Sequence, residues 1–356
     1  MKKRKRLKSI IVYDTDDFEL IPFQNGVNSS SSVHFELCQR PENINLNKHR
    51  KGKLDELRRY YNYFKGGYWL YRHRNEYENI ICWQQFYALT YGFFCSIFHK
   101  KNHCCTVACN YTYKEKGGLI KHPYFWFMKK CLSSGGVSYI HVLSDLYADR
   151  VCFELGFDRK KTIVTAFGIL DEYDKYSELD PPEGYKKNGY FLAIGRSNRD
   201  YDFLMDVWKK INYPLVIVSD KYNRESDNPN VAIRRDVGAE DQYNWISNCR
   251  ANILCLDDGN IASGDTVLLS AMSLARINIV SSPSTLTEMY IENGVNGLSV
   301  DKDLVRFREV ITELLDGKYD YIEEKARNSF IERFSRQSMG EMIGKYIESK
   351  SKLYDF

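Results

Sequence analysis

Long apolar runs are what this sequence most clearly lacks. A helix that spans a bilayer needs about 20 consecutive apolar residues, whereas the longest apolar run, residues 86–98, has 13 residues and includes Tyr, Thr and Ser. The first eight residues contain six Lys or Arg, but the apolar patch that follows, residues 9–13, is too short for a signal peptide. We therefore expect a cytoplasmic protein. The basic segment is compatible either with a solvated tail or with peripheral contact to an anionic membrane.

Metal and nucleic-acid signatures are missing as well. The ten Cys residues lack paired metal-ligand spacing, and a net charge of +4 with no basic helix or zinc knuckle excludes a typical nucleic-acid binder. No Asp-x-Asp motif follows an apolar strand, since Asp200 and Asp202 lie in a loop and first helical turn and Asp257 is directly adjacent to Asp258. We predict that the protein uses no metal and no cofactor.

Histidine is absent after His141, which removes a histidine base from the second half of the chain. His141 itself lies within an apolar strand and is predicted to be a packed core residue.

Strand-like and helix-like runs alternate along the chain, and this alternation predicts an α/β protein with parallel sheets. A length of 356 residues favours two domains. The segment 171–188 carries paired prolines and mixed charges, and we interpret it as the linker between a first domain at 1–185 and a second at 186–337.

The most informative stretch is residues 259–300. It predicts a small polar loop, then a helix with one apolar face, then an apolar strand. The loop contains Ser263, Gly264 and Asp265. Backbone N–H groups from Gly264 to Val267, including that of Thr266, would be the unpaired donors of the first helical turn, and such an end favours an anion by about 0.3–1 kcal/mol. The alternative is an ordinary loop capped by its own Ser263 or Asp265.

A second loop of this kind lies about 70 residues earlier. The apolar strand 190–194 ends at Gly195–Arg196, a second basic residue follows at Arg199, and a helix begins at residue 201. Downstream of both loops, Glu292, Gly294, Asn296 and Gly297 form the pattern Glu-x-Gly-x-Asn-Gly.

These features resemble the donor-binding half of retaining glycosyltransferases of the GT-B fold, family 4 type (glycosyl transferases group 1). In that family a strand ends in Gly-Arg, a second Lys or Arg follows, and the Glu-x-Gly-x-Asn-Gly segment comes later. The resemblance covers residues 186–340 closely and the first half in outline. It implies two Rossmann-like domains that face each other across a cleft, with a C-terminal helix, 338–356, that crosses back to the first domain.

The resemblance also implies roles for individual residues. Arg196, Arg199 and the helix start at Gly264, Thr266 and Val267 would bind the diphosphate of a UDP-, GDP- or dTDP-sugar, with Gly195 in the same loop. The departing phosphate would deprotonate the acceptor, so we name no catalytic base. The acceptor would be a glycan or a lipid-linked glycan, in the synthesis of a surface polysaccharide.

The sequence departs from the family at two acidic positions, where Ala262 and Ser270 replace the glutamates that bind the donor sugar and ribose. A charged hydrogen bond contributes about 1.5–3 kcal/mol, so losing one could cost roughly tenfold to a hundredfold in affinity or rate. Ser263 or Asp265 could replace the first contact, and Ser270 could still reach a ribose hydroxyl.

Further expectations concern the nucleoside base and the acceptor. Arg234 and Arg235, after the strand 231–233, are either base-site residues or surface charges. In the first domain the rule that ligands lie beyond the carboxyl ends of strands nominates the loops after residues 82, 109 and 143. The resemblance implies that Asn110 or Tyr111 lies near the position of a family histidine that contacts the donor sugar and that Ser144 matches the family's strand-end serine, and we expect these residues on the acceptor side. Two other functions stay open, a non-catalytic scaffold that binds nucleotide sugars and an epimerase or hydrolase on the same fold.

Overall fold

The computed structural model describes residues 7–48, 52–99, 104–133, 135–261 and 263–351. It divides the chain into two compact units. Unit 1 contains the described residues up to Gly168 and those from Arg336 onward, and unit 2 is Ile169–Ser335. Residues 1–6 of the basic segment and Ala262 lie outside the described residues. In the described part of the chain, no helix combines the length and the apolar character that a membrane span needs.

Unit 1 alternates strands and helices from its first element. In chain order these are β1 (Lys8–Tyr13), α1 (Asp17–Ser30), β2 (Phe35–Gln39), α2 (Ile44–Lys48), α3 (Lys53–His73), β3 (Tyr77–Cys82), α4 (Gln85–Ile97), β4 (Cys105–Ala108), α5 (Lys121–Ser133), β5 (Tyr139–Val142), α6 (Asp145–Leu155) and β6 (Thr162–Val164). The strands form one parallel sheet in the order β2-β1-β3-β4-β5-β6.

Successive side chains along a strand point to opposite faces, and the core of unit 1 follows this rule. Ile10, Val12 and Ile80 belong to one buried cluster. Ile11 and Ile81 belong to another. The sheet is therefore covered by apolar side chains on both faces, as expected for a parallel sheet.

Unit 2 repeats the alternation. Its elements are α7 (Tyr173–Tyr176), β7 (Phe191–Ile194), α8 (Tyr201–Trp208), β8 (Leu215–Val218), β9 (Val231–Arg234), α9 (Asp241–Asn248), β10 (Ala251–Leu254), α10 (Asp265–Ser273), β11 (Ile277–Ser282), α11 (Thr285–Tyr290), β12 (Leu298–Asp301), α12 (Leu304–Leu315) and α13 (Ile322–Ser329). The parallel sheet has the order β12-β11-β10-β7-β8-β9. Counted from its own first strand, this is the doubly wound order 3-2-1-4-5-6, whose direction reverses between β7 and β10.

The last helix, α14 (Arg336–Ser351), belongs to unit 1 and packs along α1. Glycines allow the two backbones to approach closely. A Cβ added at Gly340 would lie 2.2 Å from the Phe23 carbonyl oxygen, and one at Gly26 would lie 2.0 Å from the Gln337 carbonyl oxygen. Met339, Ile343 and Ile347 of α14 are buried in the cluster that covers one face of the sheet.

The unit boundary at 168/169 lies before the segment 171–188 that the sequence suggested as a linker. This segment packs on unit 2. The rings of Tyr176 and Tyr243 stack with centroids 4.9 Å apart. Asp171 accepts two hydrogen bonds from Arg327, at 2.7 Å each.

Candidate functional site

Two loops meet at the point where the sheet of unit 2 changes direction. Residues 195–200, here called the arginine loop, follow β7, and residues 257–264, here called the glycine loop and described except for residue 262, lead from β10 to α10. β7 and β10 are paired neighbours in the sheet. In doubly wound sheets, ligands bind in the crevice outside the carboxyl ends of the strands at this switch point.

The guanidinium group of Arg199 joins the two loops. It donates to backbone carbonyl oxygens of its own loop at Ser197 and Asn198 and to that of Ser263 in the glycine loop, each at 3.2 Å. A longer bond of 3.4 Å reaches the carbonyl of Ile194 at the end of β7. Burial lowers the pKa of Arg199 below its usual value, although an arginine stays protonated at neutral pH. The site thus holds a fixed positive charge, and within the described residues its guanidinium group donates only to neutral carbonyls.

Gly195 and Gly264 are the residues that make room for this guanidinium group. A Cβ on Gly195 would lie 2.7 Å from Nε of Arg199, and a Cβ on Gly264 would lie 2.3 Å from its Nη2. Gly264 also has φ of +107°, a conformation that a side chain disfavours. The space over Gly264 is therefore filled by Arg199, a role that the sequence did not suggest.

Asn198 makes the second connection between the loops. Its amide nitrogen donates to the Asp258 carbonyl at 2.9 Å, and its amide oxygen accepts from the Asp258 N–H at 2.8 Å. The Asp258 carboxylate in turn accepts from the Asn260 N–H at 2.9 Å. The Asp258 carboxylate therefore closes a turn within the glycine loop.

Arg196 has a different environment. Its side chain is 69% exposed, and it forms two hydrogen bonds of 2.8 Å to the Asp220 carboxylate, which lies just beyond β8. Exposed ion pairs contribute only about 0–1 kcal/mol. Arg196 can therefore exchange Asp220 for another anion at little cost in stability.

The start of α10 carries the remaining predicted donor-side residues. The Asp265 carboxylate accepts from the Thr266 N–H at 2.9 Å, so one helix-end donor already has a partner within the helix. The Ser263 hydroxyl donates to the Ser197 carbonyl at 3.4 Å. Val267 packs on the core of unit 2, and Ser270 is 3% exposed.

The two aspartates with Asp-x-Asp spacing have structural partners. Asp200 caps α8 through the Phe203 N–H and pairs with Lys302 at 2.7 Å. Asp202 accepts from the Tyr222 hydroxyl at 2.6 Å and pairs with Arg224 at 3.0 Å.

The Glu-x-Gly-x-Asn-Gly segment is a turn held by its asparagine. Asn296 is fully buried, accepts from the Glu292 N–H at 2.8 Å and donates to the Tyr290 carbonyl at 3.1 Å. Gly294 has φ of +73°, which explains a glycine at that position. In this chain the asparagine and the first glycine of the pattern therefore have a conformational role.

Arg234 and Arg235 lie at the exposed end of β9 and just beyond it. Arg234 lines a shallow cavity of about 440 Å³ together with Trp245. Arg235 donates to the Tyr222 and Arg224 carbonyls at 3.0 and 2.8 Å, and it pairs with Glu225. Arg234 is thus exposed at the cavity, whereas Arg235 stabilises the loop between β8 and β9 through its hydrogen bonds.

In unit 1 the three predicted acceptor-side residues have different surroundings. Asn110 has φ of +50°, and its buried amide oxygen has no hydrogen-bond partner among the described residues. Tyr111 is 1% exposed, and Ser144 caps α6 by accepting from the Tyr147 N–H at 3.2 Å. His141 is fully buried and bonded to Thr165 at 2.7 Å, and burial lowers its pKa to about 4. The prediction that His141 is a core residue is confirmed.

Sequence reasoning missed Asp220 and Asn198. Asp220 follows the apolar strand β8, so the rule on strand ends could have found it. Asn198 gave no signal, because its role depends on Asp258, which lies 60 residues away in the chain.

The two parallel α/β sheets match solved structures of glycosyltransferases, and the prediction of a GT-B fold with two Rossmann-like units is confirmed. A glycosyltransferase from Rickettsia africae ESF-5 matches with a TM-score of 0.58 and 12% identity, covering 98% of this chain and 100% of that chain.

HepE from Anabaena, in complex with UDP, matches with a TM-score of 0.58 and 13% identity, covering 96% of this chain and 100% of that one. A sucrose-phosphate synthase from Thermosynechococcus elongatus has a TM-score of 0.58 and 11% identity, with coverage of 98% and 100%. No family model and no curated protein sequence matches the chain. At these identities the likeness shows the fold.

Proposed function

We propose that this protein is a retaining, metal-independent glycosyltransferase that moves a sugar from a nucleoside diphosphate to a glycan or lipid-linked acceptor. The observation that carries the proposal is the Arg199 guanidinium group, which lies against Gly195 and Gly264 at the switch point of the unit 2 sheet. The comparison with HepE in complex with UDP makes a UDP-sugar the first donor to test.

The chemistry follows from the leaving group. When the bond from the sugar to the diphosphate breaks, negative charge builds on the phosphate, and fixed donors aimed at that charge lower the barrier. Arg199 is held in place by neutral carbonyls, so its charge is not cancelled by a carboxylate in direct contact. Arg196 is the adaptable partner, because its exposed pair with Asp220 can open when a diphosphate arrives.

Retention of configuration needs no enzymic nucleophile in this scheme. As the resemblance to the family implies, the departing phosphate takes the proton of the acceptor hydroxyl on the same face of the sugar. Ser263 and Asp265 beside the helix start of α10 are our candidates for contact with the donor sugar, in place of the family glutamate. Ser270, in the middle of α10, is the candidate for the ribose.

The test is a panel of UDP-, GDP- and dTDP-hexoses. We expect calorimetry to detect one preferred base and slow hydrolysis of the matching donor, with the anomeric configuration of the released sugar retained by NMR. Absence of binding by every nucleotide sugar contradicts the proposal. Release of a sugar with inverted configuration contradicts the retaining mechanism, but it does not contradict the transferase function.

The second candidate is a nucleotide-sugar-binding protein without transfer activity, favoured by Ser270 in place of a glutamate. A donor that binds, yet undergoes no hydrolysis and no transfer to any acceptor, would support it. An epimerase would instead convert the donor to its epimer without an acceptor, which the same NMR experiment detects.

A further inference from the structure

Helices α3, α4 and α5 lie side by side on one face of the unit 1 sheet. Their inner sides share one apolar cluster, and the helices contact one another in the order α3-α4-α5. The outer sides of the three helices point away from the sheet. The residues on these outer sides therefore decide what this face of unit 1 can contact.

The outer side of α3 carries more apolar than charged residues. Six exposed residues, spaced three or four positions apart, share this side of the helix, and they are Leu54, Leu57, Tyr61, Lys65, Tyr68 and Arg72. Leu54 is 81% exposed and Leu57 is 66% exposed. The stripe extends about 27 Å along the helix axis. Contiguous apolar surface of this kind marks an interaction site.

A row of four rings continues this surface across α4 to α5. The centroid of the Tyr68 ring of α3 lies 5.2 Å from that of Phe94 in α4, and Phe94 lies 6.0 Å from Phe93. Phe93 in turn lies 6.3 Å from Trp126 of α5. The two middle rings are partly buried, whereas Tyr68 and Trp126 are 42% and 54% exposed. We call these four residues the aromatic row.

Exposed cations flank both ends of the aromatic row. Lys65 and Arg72 lie three and four positions from Tyr68, so all three share one side of α3. Lys129 and Lys130 have the same spacing from Trp126 in α5. Between these two groups, α4 contains no charged residue. The surface is thus apolar in its middle and basic at both ends.

Carboxylates lie at the margins of this face. Residues 57–73, 85–97 and 121–133 contain seven Lys or Arg and no Asp or Glu, although the charge of one of the seven, Arg59, acts on Asp14. Of the four cations that flank the aromatic row, only Lys65 has a carboxylate within 4 Å among the described residues, that of Glu42 at 4.0 Å. The other marginal carboxylates are Asp55 and Glu56 in the first turn of α3, Glu76 after α3, and Glu115, which pairs with Lys121 at 2.7 Å.

Charge and residue type together select the partner. A symmetric contact with a second copy of this chain would bring two positive faces together, which is unfavourable. Nucleic acid would pair with the cations and stack on the rings, but it gives the exposed leucines of α3 no partner. An anionic bilayer suits all three groups, because Trp, Tyr and Leu enter the boundary between headgroups and acyl chains while Lys and Arg contact the phosphates.

We propose that the outer face of α3, α4 and α5 binds the surface of a bilayer that contains anionic phospholipids. The aromatic row and the leucines of α3 enter the headgroup region, and the flanking cations contact the lipid phosphates. The basic segment at residues 1–8 is a separate candidate for membrane contact, and the proposed surface does not depend on it. The inference goes beyond the proposed transfer reaction and does not require it.

Co-sedimentation with vesicles tests the proposal. The probes are vesicles of phosphatidylcholine alone and vesicles of phosphatidylcholine mixed equally with phosphatidylglycerol. We expect the whole chain to bind the mixed vesicles roughly tenfold or more tightly than the neutral ones, and added salt to weaken this binding. Absence of binding to the mixed vesicles overturns the proposal. Equal binding to both kinds of vesicle also overturns it, because the cations would then have no role.

Substitution of an end ring tests the aromatic row. We expect Trp126→Ala to weaken binding to the mixed vesicles by roughly fivefold or more. The matched control is Phe18→Ala, which removes an exposed ring from α1, the helix that packs on the other face of the sheet, and it should bind as the original does. Unchanged binding by Trp126→Ala, or equal loss in both variants, contradicts the assignment.

Charge reversal tests the flanking cations. The double variant Lys129→Glu with Lys130→Glu should weaken binding to the mixed vesicles by roughly tenfold or more. Lys186→Glu with Lys187→Glu makes the same change in net charge at an adjacent exposed pair in unit 2, and it should have much less effect. Equal loss in the two double variants would mean that net charge alone drives binding, which overturns the proposal.

A chain that lacks residues 2–6 separates this surface from the basic segment. We expect this chain to bind the mixed vesicles, and Trp126→Ala to weaken that binding by roughly fivefold or more. Loss of all vesicle binding on the deletion would assign the contact to the basic segment and overturn the proposal. A dimer in analytical ultracentrifugation, or a complex with single-stranded RNA, that Trp126→Ala disrupts while vesicles are not bound would overturn it as well.

Nucleotide binding separates this inference from the proposed function. We expect every variant to keep the circular dichroism spectrum of the original and to bind UDP with an affinity within about twofold of it, because none of the changes lies in the two switch-point loops of unit 2. If UDP binds and vesicles do not, the membrane surface is wrong and the donor function stands. If vesicles bind through Trp126 and no nucleotide binds, the surface stands and the transferase proposal is wrong.

Discussion

Arg196 and Arg199 lie three positions apart in the chain, and their guanidinium groups have different partners. Arg199 donates to carbonyls of two loops and lies against two glycines, so the fold itself depends on it. Arg196 is exposed, and within the described residues its guanidinium group pairs only with the Asp220 carboxylate. Arg199 therefore combines a structural role with a binding role, whereas Arg196 is available to bind a ligand.

Substitution by alanine should separate these two roles. Arg196→Ala should weaken UDP-sugar binding by roughly tenfold to a hundredfold, the size of one charged hydrogen bond, and leave the free energy of unfolding within about 0.5 kcal/mol of the original. Arg199→Ala should weaken binding and also lower the free energy of unfolding, because it leaves partly buried carbonyls without donors. Calorimetry and urea denaturation measure the two effects, and equal destabilisation by both variants would contradict this division.

Asp220 competes with an incoming anion for Arg196. Asp220→Asn should therefore increase affinity for UDP, by about threefold to tenfold, since the paired carboxylate no longer has to be displaced. The matched control is Asp202→Asn, which breaks a similar exposed pair, to Arg224, without touching Arg196. A loss of affinity in Asp220→Asn would mean that Asp220 orients Arg196 for the ligand.

Asp14 shows how a buried carboxylate can cost stability. Burial raises the pKa of its carboxyl, opposed by hydrogen bonds from neighbouring side chains and by the charge of Arg59. The folded state then binds the proton more tightly than the unfolded chain, so the free energy of unfolding falls as pH rises through the folded-state pKa. Asp14→Asn should be more stable than the original protein at pH 7. The advantage should shrink towards pH 4, as urea denaturation at both values can measure.

The exposed Asp149→Asn serves as the control for this prediction, because its carboxylate pairs at the surface with Arg159. It should show no stabilisation at pH 7. A lower stability of Asp14→Asn at pH 7 would mean that the hydrogen bonds and the charge of Arg59 outweigh the burial of the Asp14 carboxylate.

At the scale of elements, the contact between α1 and α14 depends on glycine. Gly340→Ala would place a methyl group 2.2 Å from the Phe23 carbonyl oxygen, a clash with backbone that no side chain rotation relieves. We expect a loss of about 1–3 kcal/mol in the free energy of unfolding despite the higher helix propensity of alanine. Gly117→Ala, at a site with no atom within 4 Å of the new Cβ, should change stability little. Equal losses in the free energy of unfolding for the two variants would indicate that α1 and α14 can move apart to accommodate the methyl group.

Most elements could be predicted from the sequence because their apolar periodicity is strong. The strand expected at 190–194 is β7, Phe191–Ile194, the strand expected at 231–233 is β9, Val231–Arg234, and the helix expected from residue 201 is α8, Tyr201–Trp208. α1 and β6 were missed. α1 contains Pro22, and one of its four buried positions is Gly26, whose role comes from a helix more than 300 residues away. β6 has only three residues.

The site could be predicted in part, for a related reason. Gly195, Arg199 and Gly264 were identified from two short patterns, and the fold brings the three together. The pattern did not reveal that Arg199 fills the space over Gly264, because that contact joins loops about 70 residues apart.

At the scale of the whole molecule, unit 2 is a continuous segment and unit 1 is not. Ile169 and Ser335, the first and last residues of unit 2, form a bridge, and the Ile169 N–H donates to the Phe334 carbonyl at 3.1 Å. Every proposed donor-side residue lies between them. Unit 1 needs α14, whose Met339 and Ile343 complete one face of its core.

A fragment spanning residues 169–335 should therefore fold alone and keep the nucleotide site. We expect circular dichroism with cooperative thermal unfolding, because the unit has its own apolar core and closed ends. UDP should bind within about tenfold of its affinity for the whole chain, and Arg196→Ala should weaken binding equally in fragment and whole chain. A second fragment, residues 1–335, lacks only α14 and the residues after it. Without α14, apolar residues of unit 1 should be exposed, and we expect this fragment to bind a hydrophobic dye and to aggregate. If 169–335 folds but does not bind UDP while the whole chain does, residues of unit 1 must contribute to nucleotide binding.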